Sequence, residues 1–145
     1  MKYFFLLAMV FVLSACQLLY VEVIVVNNTD HHVEIKGFYE GVESEVIFIK
    51  PYESYVNPQY IDREGGPSVQ LFHDYPIDSV NIIFEGVKII VQSCQESELA
   101  LCPDVERNIL NFELMYELED DGRNERRYIY TLTEDDYNNA IPFLR

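Results

Sequence analysis

Apolar and polar residues alternate along much of the chain, and clusters of turn-forming residues separate the alternating stretches. Successive side chains of a strand point to opposite faces, so a period of two predicts strands that bury one face. Glu85-Gly86 predicts a two-residue hairpin turn between two such strands. The predicted strands are residues 19–26, 32–39, 44–50, 54–56, 69–73, 79–84, 87–92, 109–118 and 127–132.

This pattern predicts an all-β fold, because strands follow one another without crossover helices or a repeat. We expect an antiparallel β-sandwich of immunoglobulin-like type, with a barrel as the alternative. Residues 51–66 are predicted to be mainly an irregular loop, since prolines and glycines interrupt the alternation. Thr133-Glu134-Asp135-Asp136 resembles a capping box and predicts one short C-terminal helix that ends before Pro142.

The strand predicted at residues 44–50 is apolar on both faces. Ile47 and Ile49 alternate with Val46 and Phe48. Such a strand either lies in the centre of the fold or has one side against a partner.

The N-terminal residues have a different pattern. Lys2 precedes an apolar run over residues 3–15, whose helix would cover about 20 Å of a hydrocarbon core roughly 30 Å thick. A run this short predicts a cleaved signal peptide at residues 1–15. The ending Leu13-Ser14-Ala15-Cys16 resembles the lipobox of bacterial lipoproteins, and this resemblance implies a diacylglycerol thioether on Cys16 at the mature N-terminus.

A lipid on Cys16 would also fix the compartment. We expect a tether at residues 16–22 and one domain over residues 19–145, with an overlapping boundary. Gln17 takes the place of the aspartate that would resemble an inner-membrane retention signal. We therefore expect a bacterial envelope protein at the outer membrane that faces the periplasm. An uncut anchor helix and a soluble secreted protein are the alternatives.

The chain is strongly acidic, with 25 Asp and Glu against 10 Lys and Arg and a formal net charge of −15. Removal of residues 1–15, which contain one Lys and no acid, changes this charge to −16. Such a protein would repel phosphates, which argues against nucleic-acid binding and against a polybasic membrane contact. Aromatic residues make up 14% of the chain, which is consistent with a packed core rather than disorder.

Two cysteines remain after Cys16. Cys94 and Cys102 are expected to form a disulfide in an oxidising compartment. A pair of free thiols is the alternative. A metal site lacks both a CxxC spacing and a nearby histidine, so we expect no metal and no cofactor.

The C-terminal half resembles a group of small bacterial lipoproteins of unknown function. The similarity lies in residues 78–86, 107–111 and 130–140. It implies a secreted β domain held by a lipid and implies no catalytic residues.

Three clusters contain residue types that can bind metals or take part in catalysis. His31-His32 would point to opposite faces of a strand and cannot share one ion in that geometry. His73-Asp74 lacks a nucleophile motif. The acidic residues between 117 and 125 do not have the spacing of an EF-hand, so a solvated turn is favoured over a weak cation site.

Tyr52, Tyr55 and Tyr60 are the candidate recognition residues, because tyrosine gives a rigid, amphipathic contact surface. Packing at the end of the sandwich is the alternative. The sequence thus predicts a lipid-anchored, non-enzymatic binding or envelope-accessory module with a protein or glycan partner. A small glycan hydrolase with paired carboxylates and a structural subunit of an envelope complex are the alternatives.

Overall fold

The computed structural model describes residues 18–62, 69–72, 77–94, 107–120 and 125–144. Within these residues the chain forms nine strands and two short helices. None of the helices in this part of the chain is long and apolar enough to cross a bilayer. The elements are β1 (Leu18–Asn27), β2 (Val33–Tyr39), β3 (Val42–Ile49), β4 (Ser54–Asp62), β5 (Ser79–Phe84), β6 (Lys88–Ser93), α1 (Phe112–Met115), β7 (Glu117–Asp120), β8 (Glu125–Leu132), α2 (Glu134–Asn139) and β9 (Ile141–Pro142).

The strands form two sheets. The first sheet has the order β4-β1-β8-β7, and the second has the order β3-β2-β5-β6-β9. Neighbouring strands are antiparallel except β1 and β8, which run parallel. The predicted β-sandwich with a short C-terminal helix is confirmed, and the parallel pair is a feature that the alternation did not predict.

The core contains the alternate residues of strands from both sheets. Val23 and Val25 of β1 are in one buried cluster with Val33 and Ile35 of β2, and all four are at most 2% exposed. Tyr130 of β8 lies in the same cluster. Because side chains alternate along a strand, the residues between these positions on β1 and β8 form the outer face of the first sheet.

β4 is longer than the sequence predicted. It pairs with β1 from Val26↔Ser54 to Leu18↔Asp62, so the expectation of an irregular loop is wrong for residues 57–62. Pro58 lies inside the strand. Proline is tolerated there because β4 is at the edge of its sheet among the described residues, and its missing N–H costs no ladder hydrogen bond.

Two predicted strands are wrong. Residues 69–72 form no strand, while His73 lies outside the described residues. Residues 109–116 contain a turn and α1 instead of a strand, and β7 begins only at Glu117. Asn108 causes the turn, because its side-chain oxygen accepts from the Leu110 N–H at 2.9 Å and its carbonyl accepts from the Asn111 N–H at 2.9 Å.

The β5–β6 hairpin has a connection of three residues rather than the predicted two, since Phe84 pairs with Lys88. Glu85 and Gly86 both have positive φ angles, of 51° and 68°, and the Val87 N–H donates to the Phe84 carbonyl at 2.9 Å to close the turn. The shifted register leaves Val91 62% exposed, whereas Ile90 packs against the core.

The predicted capping box opens α2. A side-chain oxygen of Asp136 accepts from the Thr133 N–H at 2.7 Å. The carboxylate also accepts from the guanidinium of Arg107 through both of its oxygens, and Asp136 is only 6% exposed. This pair connects the segment before α1 to the C-terminal helix.

Candidate functional site

The three tyrosines expected to form a recognition surface do not lie together. Tyr52 is in the turn before β4, is 66% exposed and donates its hydroxyl hydrogen bond to Asp30. Tyr55 packs against the core from the inner side of β4. Tyr60 is 68% exposed near the other end of β4. Of the three, Tyr60 alone lies on a broad sheet surface.

That surface is the outer face of the first sheet, here called the tyrosine–carboxylate face. Its residues come from all four strands of the sheet and form three rows across it, because paired positions lie side by side. The first row is Tyr60, Tyr20 and Glu125, the second is Pro58, Glu22, Arg127 and Glu119, and the third is Val56, Ile24, Ile129 and Glu117.

The first row contains an aromatic pair. The ring centroids of Tyr20 and Tyr60 are 5.2 Å apart, with an angle of 56° between the rings. The Tyr20 hydroxyl donates to Glu22 at 2.9 Å, and this hydrogen bond raises the pKa of Tyr20. The two rings therefore form an open corner with a carboxylate held beside it.

The second row is a charge cluster. Arg127 has nitrogens at 2.9 Å from Glu22, 3.1 Å from Glu125 and 3.9 Å from Glu119. Three carboxylates against one guanidinium leave a formal charge of −2 in this cluster. A cavity of about 320 Å³ is lined by Glu119, Asp120, Glu125 and Arg127.

Three of the four residues in the third row are apolar, and the fourth is Glu117. Val56 is 46% exposed, while Ile24 and Ile129 are half-buried between their neighbours. The face thus combines exposed aromatic and aliphatic area with excess negative charge on paired strands. This combination suits contact with the surface of another macromolecule.

The two histidines have separate partners, although both precede β2 and neither lies in a strand as the sequence predicted. His31 stacks on the ring of Tyr137 at 3.6 Å, and its Nε2 lies 3.7 Å from Glu134. The Nδ1 of His32 lies 3.1 Å from Glu85. The backbone N–H of His32 also donates to Glu85, and together these hydrogen bonds lower the pKa of that carboxyl.

The other candidate sites are only partly described. Among the described residues, no group of three or more His, Cys, Asp or Glu is placed to hold a metal ion. Asp74 and the turn at residues 121–124 lie outside the described residues. Asp120, before that turn, pairs with Arg126 at 3.0 Å.

The cysteine predictions also reach beyond the described residues. Cys16 and Cys102 lie outside them, so both the lipid and the disulfide stay predictions. Cys94 directly follows β6, is half-buried and donates its backbone N–H to Asp78 at 2.7 Å.

Sequence reasoning missed Tyr20, Glu22 and Arg127. Tyr20 and Glu22 alternate with the buried valines of β1, so their outward position could have been inferred from parity. Arg127 joins them through the parallel β1–β8 pairing, which local sequence does not show. No family model, curated protein or solved structure matches the chain.

Proposed function

We propose that the protein is a lipid-anchored, non-enzymatic recognition module of the bacterial envelope that binds a cationic protein. The lipid on Cys16 would hold it at the membrane, and the tyrosine–carboxylate face would contact the partner. The observation that carries this proposal is the juxtaposition of the Tyr20–Tyr60 corner with the negative cluster around Arg127.

Charge supports a basic partner. The formal net charge of −15 would attract a cationic protein over a long range and increase its association rate at low ionic strength. Screening by salt would weaken this attraction, since the Debye length is about 8 Å at physiological ionic strength.

The corner formed by the Tyr20 and Tyr60 rings supports a specific binding position for one side chain of the partner. A lysine or arginine side chain from the partner would lie against the faces of Tyr20 and Tyr60 and near the carboxylates of Glu22 and Glu125. Tyrosine and arginine are the residue types that most often dominate binding energy at interfaces. Val56, Ile24 and Ile129 would supply the apolar area beside this anchor.

Photo-cross-linking in the native envelope tests the proposal. A benzophenone amino acid at position 60 should cross-link a basic protein at low salt, and the yield should fall in high salt. The same cross-linker at position 32, where the histidine side chain is 66% exposed, is the control and should give no such product.

Charge variants complete the experiment. Glu22→Gln with Glu125→Gln should lower the cross-linking yield about tenfold, whereas Glu53→Gln in the exposed turn before β4 should not change it. An acidic partner, or a yield that is independent of salt, would contradict the proposal.

A further inference from the structure

The two sheets have four edges among the described residues, and three of them are protected against pairing with another strand. β4 contains Pro58, which cannot donate a hydrogen bond. β7 has four residues, all exposed, and three of them are acidic. β9 has two residues, one of which is Pro142. Short strands, charges and prolines are the usual means by which proteins block their sheet edges.

β3 is the fourth edge and is different. It has eight residues and pairs with β2 alone in the described part of the chain. Its last four residues, 46–49, contain neither a charge nor a proline. Phe48 is 74% exposed on the outer face, while Ile47 and Ile49 are buried on the inner face. The sequence predicted that a strand apolar on both faces is central or meets a partner, and among the described residues β3 lies at an edge of its sheet.

Apolar residues also lie further across the outer face of the second sheet, beyond Glu34. Phe48 lies in one row with Glu34, Ile83, Ile89 and Ile141. Ile83 and Ile89 are 3% and 7% exposed although they point outward. A strand added beside β3 would extend this row with its own side chain next to Phe48.

We propose that the edge of β3 binds an extended segment of another protein, which adds a sixth strand to the five-stranded second sheet. Backbone hydrogen bonds would give the affinity, and apolar side chains at alternate positions would contact Val46 and Phe48. A basic residue at one end of the segment would lie near Glu43, whose side chain is 48% exposed and lies at the start of β3.

The negative net charge of the chain favours a segment of another protein over a second copy of the chain at the β3 edge. Two copies with a formal net charge of −15 each would repel one another. The β3 edge lies in the other sheet from the tyrosine–carboxylate face, so this binding does not depend on the proposed function or on the lipid at Cys16.

The probe is a fluorescent nine-residue peptide of alternating valine and lysine. Its control has the same sequence with N-methyl groups on all backbone nitrogens, which removes the hydrogen-bond donors from both edges of the peptide and keeps the charge. We expect the unmethylated peptide alone to bind the purified protein in anisotropy titrations. Amide hydrogen exchange should slow in β3 and stay unchanged in β4 and β7.

Matched variants locate the contact. Phe48→Lys should weaken peptide binding about tenfold, because it removes the apolar neighbour and adds a like charge. Val91→Lys is the control, since Val91 is 62% exposed on β6, away from the edge. Equal binding of the methylated peptide, protection outside β3, or a dimer in sedimentation that Phe48→Lys abolishes would overturn the proposal.

Discussion

At the scale of single residues, the tyrosine hydroxyls of the interior carry the clearest pH dependence. Burial raises the pKa of Tyr130 to about 12, although the nearby Arg107 guanidinium opposes this shift. Burial likewise raises the pKa of Tyr55 to about 12. The Tyr55 hydroxyl has no hydrogen-bond partner among the described residues.

These shifts predict unfolding in alkali. Because the folded-state pKa of each tyrosine lies above the ordinary value of 10.0, its contribution to stability is complete below pH 10. That contribution is lost as the pH rises from about 10 to about 12. Tyrosinate absorbance and circular dichroism, recorded in one titration, should therefore change together in this window.

The phenylalanine variants identify the groups responsible. Tyr55→Phe removes an unpartnered hydroxyl, so it should raise the pH of the unfolding midpoint without loss of stability at neutral pH. Tyr39→Phe, at an exposed position, is the control and should leave the midpoint unchanged. If every tyrosine ionised while the protein remained folded, the explanation of alkaline unfolding by buried tyrosines would be wrong.

Parity along a strand decides which tyrosines can contact a partner. Tyr55 and Tyr60 differ by an odd number of positions, so they face opposite sides of β4. The sequence did not predict this because Pro58 suggested that the strand had ended. A proline excludes a central strand but not an edge strand, and the edge position of β4 follows only from the pairing of distant segments.

At the scale of elements, the short helix α2 depends on one buried carboxylate. Asp136 accepts from Thr133 at the start of the helix and from Arg107 before α1. Asp136→Ala should lower the free energy of unfolding by about 2–3 kcal/mol, from the lost cap and the lost ion pair together. Urea denaturation measures this loss.

Asp135→Ala is the matched control for Asp136→Ala. Asp135 lies in the same first turn of α2 but is exposed, so its loss should cost at most about 0.5–1 kcal/mol. If both variants were destabilised equally, the general interaction of acids with the helix N-terminus, and not the Arg107–Asp136 pair, would explain the role of Asp136.

The sequence predicted the strands and the helix correctly where the packing of the folded chain agrees with the local pattern of apolar and polar residues. The sequence predicted β1, β2 and β5 because each of these strands buries one face. It predicted α2 because the capping box is a local sequence motif. Residues 109–118 alternate equally well, yet Asn108 accepts hydrogen bonds from the Leu110 and Asn111 N–H groups and the chain turns there. An alternating pattern does not show whether an asparagine beside it will accept hydrogen bonds from the backbone N–H groups that follow it.

At the scale of the whole molecule, the proposed lipid would orient the domain. β1 begins at Leu18, so Gln17 alone separates it from Cys16. Two residues span at most about 7 Å, so the lipid would be held close to the start of β1. The first row of the tyrosine–carboxylate face should therefore lie near the lipid headgroups. The far end of β1 at Asn27 should lie about 30 Å away, because each residue of a strand adds roughly 3.3 Å.

The absence of native tryptophan allows a direct test of this orientation. Tyr60→Trp and His32→Trp each place one tryptophan at an exposed position, the first beside the start of β1 and the second in the loop that contacts Asn27 at the end of β1. In vesicles that carry headgroup nitroxide lipids, the fluorescence of Tyr60→Trp should be quenched strongly and that of His32→Trp weakly. A flexible Gly-Ser insertion after Gln17 should reduce the difference, because it frees the domain to rotate. Equal quenching at both positions without the insertion would contradict a short tether, and quenching at neither would contradict the lipid on Cys16.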